Sequence, residues 1–123
     1  MSLAHLTLAT RNVETTAQFL EQILGFTRDT PPSNSPVETV WLGTGAGQQI
    51  HIVYVEGFES SRFEGEFGRH IAVFHPAAEI GALKQKLSEA GAQVMQPLRP
   101  SANERFFFRE PVNGYVFEVI AQN

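Results

Sequence analysis

The chain of 123 residues predicts an α+β fold of two βαβββ modules, whose curved mixed sheets form a half-barrel around a cavity with the helices on the outer face. Two observations carry that reading. An alternating strand, a glycine-terminated amphipathic helix and two further apolar runs split by a turn occur twice in the same order. A glycine stands 20 residues after His5 (Gly25) and 21 residues after His70 (Gly91). The second observation concerns polar residues. Three of the four histidines and one glutamate fall at matching places of the two copies, His5 and His51 in the first, His70 and Glu118 in the second, 46 and 48 residues apart. Each sits in or beside a short apolar run, where a polar group needs a partner.

In the first copy residues 3–9 alternate, with Leu3, His5 and Thr7 on one face and Ala4, Leu6 and Leu8 on the other. Asn12 is a good N-cap for a helix whose stripe is Val13, Ala17, Leu20 and Leu24, widened by Phe19 and Ile23, and Gly25 stops it. A loop over 31–36, rich in proline, serine and asparagine, leads to a strand at 37–42, a glycine turn at 43–47 and a strand at 49–55, on which Gln49, His51, Val53 and Val55 share a face. The second copy has a strand at 70–74 and a helix opened by Pro76 with Ile80, Leu83, Leu87 and Ala90 on its buried stripe. Strands at 105–109 and 115–121 follow, the latter with Val116, Glu118 and Ile120 on one face. The domain reading is one domain over 1–123, with module 1 at 3–57, a linker at 58–68 and module 2 at 69–122. The linker holds Phe58, Phe63 and Phe67, which calls for a surface to pack on.

Neither copy buries a sheet face alone, so the two share an environment. The four polar residues point from the faces opposite the helices, which makes the enclosed cavity a metal-binding one. A single histidine on an apolar strand is ordinarily a satisfied core or edge residue. Four metal-ligating side chains at four equivalent places are not explained that way, and Glu118, between Phe117 and Val119, is the costliest to bury without a cation or donor.

Composition removes other classes. A formal charge of −4 with no basic run gives no reason to expect nucleic acid or an anionic membrane as partner, and no apolar stretch approaches the ~20 residues of a membrane span. With no secretory pattern the expected location is the cytoplasm. Zero cysteines exclude disulfides, thiolate chemistry and cysteine-held metals, leaving imidazole and carboxylate as ligands.

Several strings taken together resemble the vicinal oxygen chelate superfamily, which includes glyoxalase I, fosfomycin-resistance proteins, methylmalonyl-CoA epimerase, bleomycin-resistance proteins and extradiol dioxygenases. They are His5-Leu6-Thr7-Leu8, Leu24-Gly25-Phe26, Ile50-His51-Ile52, Arg69-His70-Ile71-Ala72-Val73, Phe106-Phe107-Phe108-Arg109-Glu110-Pro111 and Asn113-Gly114-Tyr115-Val116-Phe117-Glu118, and they span nearly the whole chain. The resemblance implies that the first and last strands of each copy hold one divalent metal, a role it projects onto His5, His51, His70 and Glu118. It also implies a homodimer, in which His5 and His51 of one chain either join His70 and Glu118 of the same chain or meet those of the other. Two departures stand out. Glyoxalase I usually has Glu where this chain has His51, and the common Asp-Pro-Asp-Gly turn is the longer Glu110-Pro111-Val112-Asn113-Gly114.

Such a ligand set suits Fe, Zn, Ni, Co or Mn. His5, His70 and Glu118 form the minimum of two imidazoles and one carboxylate, with His51 a fourth ligand, or a base or donor beside an open position. One carboxylate leaves the centre positive, which favours a small substrate chelating through its own oxygens. The expected activity is nearest a glyoxalase-type lyase or isomerase, with Glu118 or His51 as catalytic base. The alternatives are an Fe(II) extradiol-type dioxygenase with Trp41, Tyr54, Phe74 and Phe107 drying its pocket, a fosfomycin-type thiol transferase drawing on Arg62, Arg69, Arg99 or Arg105, and a metal-free ligand-sequestering module. Arg99 and Arg105 otherwise read as solvated, and His75, before Pro76, as a cap or surface residue. The loops at 31–36 and 96–104 are expected to frame the pocket.

Overall fold

Alternation in the first strand places Leu6, Leu8 and Thr10 toward the helix and leaves His5 and Thr7 on the opposite, exposed face. The computed structural model describes residues 1–123, and they divide into two units, 1–59 and 60–123. Unit 1 comprises β1 (His5–Thr10), α1 (Val13–Leu24), β2 (Thr27–Asp29), β3 (Thr39–Gly43) and β4 (Gln49–Tyr54), in the sheet order β1-β4-β3-β2. The β1–β4 pair is parallel and the rest antiparallel, so α1 lies within the long crossover that a parallel pair requires. Val13, Ala17, Phe19, Leu20 and Ile23 of α1 are buried, as are Val40, Leu42, Ile50 and Ile52 of the strands against which it packs. Each such large side chain contributes roughly 1.5–3 kcal/mol on burial. Asn12 is the N-cap residue, although its side chain makes no capping bond: Thr10 Oγ1 accepts its N–H, and Thr16 Oγ1 donates to its carbonyl. Gly25 ends the helix at φ 72°, in the left-handed region, with its N–H on the Glu21 carbonyl.

Unit 2 comprises β5 (Ile71–Pro76), a 3-10 turn (Ala77–Glu79), α2 (Ile80–Glu89), β6 (Gln93–Met95), β7 (Arg105–Arg109) and β8 (Val116–Gln122), in the sheet order β5-β8-β7-β6. Each unit is thus a βαβββ module with one four-stranded mixed sheet. Phe106, Phe108, Phe117 and Val119 are buried on the helix side with Ile80, Leu83 and Leu87, and Lys84 of α2 lies over the Phe106 ring. On the other face Glu118 pairs in register with Phe107 and Ala72.

The details differ from the sequence reading in physically explicable ways. His70 lies just before β5, not in it, and Pro76 ends that strand in an extended conformation (φ −55°, ψ 129°), which an edge strand accommodates because proline donates no ladder hydrogen bond. The helix therefore starts at Ile80, and Ala90, past its last turn, is exposed. The strands β2 and β6 were located by no alternation, since three-residue edge strands are too short to show one. Residues 60–69, read as mostly linker, belong to unit 2 and are anchored there through Glu64, while Phe63 and Phe67, expected to pack on a surface, are 64% and 74% exposed. The Glu64 carboxylate, its side chain 1% exposed, accepts the Val116 N–H and pairs with Arg69, and the Glu64 carbonyl accepts from Arg109. No helix is long and apolar enough to cross a membrane.

Candidate metal centre

In unit 1, the β1–β4–β3 registry sets Thr7, His51 and Trp41 side by side on the face away from α1. The His51 ring is stacked between two others, with His5 at 3.9 Å and Trp41 at 3.8 Å between centroids. Those rings, rather than the helix, leave His51 only 8% exposed. Burial first, and the neighbouring His5 charge second, hold the His51 pKa below its ordinary 6.5. A polar chain orients the ring. Asp29 Oδ2 accepts from Gln49 Nε2 at 2.9 Å, and Gln49 Oε1 lies 2.9 Å from His51 Nε2. A carboxylate only accepts, so the amide nitrogen faces Asp29 and its oxygen faces His51; Nε2 therefore carries the hydrogen, and Nδ1 keeps its lone pair.

In unit 2, His70 Nδ1 donates to the Gly65 carbonyl at 3.0 Å, which leaves Nε2 as the acceptor nitrogen. That nitrogen lies 3.3 Å from Glu118 Oε1. Both atoms are lone-pair donors, and a proton between them or a cation satisfies both, so the donor set fits a metal that takes Nε2 and Oε1. Glu118 Oε2 is held by Arg105 Nη1 at 3.1 Å. Phe107 meets the His70 ring edge-on at 5.2 Å, and beside the pair lies an apolar cavity of about 270 Å³ lined by Gly65, Glu66, Met95, Gln96, Leu98 and Phe107.

The structure thus brings His5 to His51 in unit 1 and His70 to Glu118 in unit 2. No group of three or more His, Asp or Glu side chains able to hold an ion forms within either unit. Arg105 contradicts its solvated reading: its side chain is 3% exposed and ion-paired with both Glu118 and Glu66, since the β7 position that points away from α2 is covered by residues 66 and 99. Arg99 turns its Nη1 onto the Pro100 carbonyl. His75 lies 3.6 Å from Glu79. Sequence reasoning missed Asp29, Gln49, Gly65 and Glu66. Alternation does place Gln49 on the His51 face, two residues away, but nothing local marks Gly65 or Glu66.

The model of the Glyoxalase/Bleomycin resistance protein/Dioxygenase superfamily matches residues 2–119. The chain belongs to that superfamily. Among solved structures, the E126Q mutant of the fosfomycin resistance protein FosX from Listeria monocytogenes, complexed with Mn(II) and 1S,2S-dihydroxypropylphosphonic acid, is similar at TM-score 0.79 and 20% identity, over 99% of this chain and 92% of that one. A putative glyoxalase family protein from Bacillus anthracis has TM-score 0.78 at 20% identity, over 100% and 96%. FosX from Mesorhizobium loti has TM-score 0.74 at 18% identity, over 99% and 92%. At these identities the likeness to the superfamily structures is one of fold alone. No curated protein matches the chain in sequence.

Proposed function

We propose that this superfamily member is a divalent-metal-dependent enzyme acting on a small oxygen-chelating substrate, with His5, His70 and Glu118 as metal ligands and His51 as a fourth ligand or as the base. The observation that carries the reading is the His70–Glu118 pair, whose Nε2 and Oε1 face each other at 3.3 Å while Gly65 and Arg105 hold the far side of each group. Such outer partners orient metal ligands in the way that metal sites require. The Mn(II) in the FosX structures supports the choice of a hard divalent ion.

The bound metal would polarise the chelating oxygens of the substrate as a Lewis acid. What this chain's own residues contribute is positioning and proton transfer. The Asp29–Gln49 chain holds Nε2–H of His51 and so presents an unprotonated Nδ1, the atom able to accept a proton from a carbon acid. That favours a glyoxalase-type isomerase or lyase. A fosfomycin-type transferase ranks lower because Arg105 and Arg69, two of the cations it would draw on, are paired with Glu118, Glu66 and Glu64.

The test is Mn²⁺ binding to the metal-stripped protein, followed by electron paramagnetic resonance, for the parent and Glu118→Ala. The parent is expected to bind one ion per site and the variant to weaken binding more than about 100-fold, beyond what loss of an outer partner causes. Equal metal content in the two proteins would refute the assignment. Hemithioacetal isomerisation without oxygen, run beside catechol cleavage with Fe(II) in air, then separates the chemistries: oxygen consumption would replace the isomerase reading by the dioxygenase one.

A further inference from the structure

Arg105 is an unusual residue to bury. Its guanidinium spans Glu118 Oε2 (3.1 Å), Glu66 Oε2 (3.3 Å) and the Arg99 carbonyl, yet its Nε has no partner at all. Buried ion pairs are weak devices for stability, and an orphaned buried donor makes this one weaker still. The connections it makes are more informative. Glu66 accepts the N–H of Leu98 on Oε1 (2.7 Å) and that of Arg99 on Oε2 (3.0 Å), and the Leu98 bond first, with the Arg99 bond and Arg105 adding to it against the cost of burial, holds its carboxyl below the usual range. Its chain neighbour Gly65 anchors His70. The contacts close a ring that runs from His70 through Gly65, Glu66, Arg105 and Glu118 back to His70. Leu98, 80% exposed and fixed through its N–H, lines the cavity beside the pair.

We propose that Arg105 and Glu66 are positioning residues for Glu118, and that through them occupancy of the cation site is coupled to the order of the 98–99 loop that walls the adjoining cavity. The inference rests on the metal reading above. Arg105 takes one carboxylate oxygen of Glu118 and leaves Oε1 as the only one free for an ion. The planar fork does this while also reaching Glu66, which a point charge on lysine does not reproduce. A cation that fixes Oε1 therefore fixes the fork, Glu66 and the two loop N–H groups. By linkage, anything that loosens the loop weakens the ion by the same factor.

The experiment uses the full chain. Mn²⁺ affinity is measured for the parent, Glu66→Gln and Arg105→Lys, and amide hydrogen exchange of residues 96–104 is followed with and without Mn²⁺, with β8 amides as the folding control. In the parent, Mn²⁺ is expected to slow exchange at Leu98 and Arg99. Glu66→Gln, which touches neither proposed ligand, should weaken Mn²⁺ about tenfold and remove the metal-dependent part of that protection, and Arg105→Lys should weaken it about 10–100-fold. A purely structural role would leave the Leu98 and Arg99 amides indifferent to Mn²⁺. That result, or parent-like affinity in Glu66→Gln, overturns the inference while leaving the metal site standing. A parent that binds no Mn²⁺ overturns both. Glu66 is less buried than Arg105, with a side chain 12% against 3% exposed, and glutamine is isosteric with it, so its variant keeps the test decisive should Arg105→Lys fail to fold.

Discussion

Removing the Glu64 carboxylate should loosen the start of the strand that carries Glu118, and the size of the effect follows from its contacts. Oε1 accepts the buried Val116 N–H at 2.9 Å, and Oε2 pairs with Arg69 at 2.9 Å. In Glu64→Ala the fully buried Val116 donor loses a charged acceptor, which costs roughly 1.5–3 kcal/mol. The Arg69 side chain is 40% exposed, so losing its pair adds only about 0–1 kcal/mol. The sum, about 1.5–4 kcal/mol, corresponds to a fall in Tm of roughly 10 °C for a chain of this length. Glu64→Gln keeps an oxygen for Val116 and loses only the charge, so its cost should stay near 1 kcal/mol. Thermal unfolding by circular dichroism gives the magnitudes, and hydrogen exchange at the Val116 amide locates them, rising in the alanine variant and staying low in the glutamine one. A glutamine variant as damaged as the alanine variant, or an alanine variant within about 0.5 kcal/mol of the parent, would refute the assignment of this energy to the Val116 hydrogen bond.

Three further outcomes follow from the structure. A Cβ at Gly68 would lie 1.8 Å from the Phe63 carbonyl oxygen, whereas one at Gly65 meets nothing within 4 Å. Gly68→Ala should therefore destabilise by roughly 3 kcal/mol or more and Gly65→Ala by less than about 1 kcal/mol, read by urea unfolding; equal effects would contradict the packing described for this segment. Trp41, the single tryptophan, stacks on His51, so protonation of that imidazole should quench its fluorescence in the metal-free protein, with a midpoint below 6.5 that disappears in His51→Gln. Between the ordinary 6.5 and this lower folded value the unfolded chain binds the proton and the folded one does not, so stability should fall as pH drops through that interval and be complete above it. A quenching midpoint at or above 6.5 would contradict the burial of His51 between its neighbouring rings.

What the sequence determined was everything that periodicity and punctuation encode locally. Alternation of Ala4, Leu6 and Leu8 with Leu3, His5 and Thr7 put His5 on the open face, the stripe of Val13, Ala17, Leu20 and Leu24, widened by Phe19 and Ile23, set α1, Gly25 and Gly91 marked where both helices end, and repetition of that pattern revealed the two modules and the matching positions of His5, His51, His70 and Glu118. Tertiary structure alone decided how those groups are held. Arg105 looked like a surface cation because an arginine beginning a strand ordinarily is one; only when residues 66 and 99, 39 and 6 positions away, fold over it does it become a buried tether on Glu118. The same holds for Gly65 on His70 and for Asp29, 20 residues from Gln49, whose acceptor-only chemistry chooses the His51 tautomer. Hydrogen bonds of long sequence separation leave no periodic trace, because nothing in the spacing of the partners records the loop that closes between them.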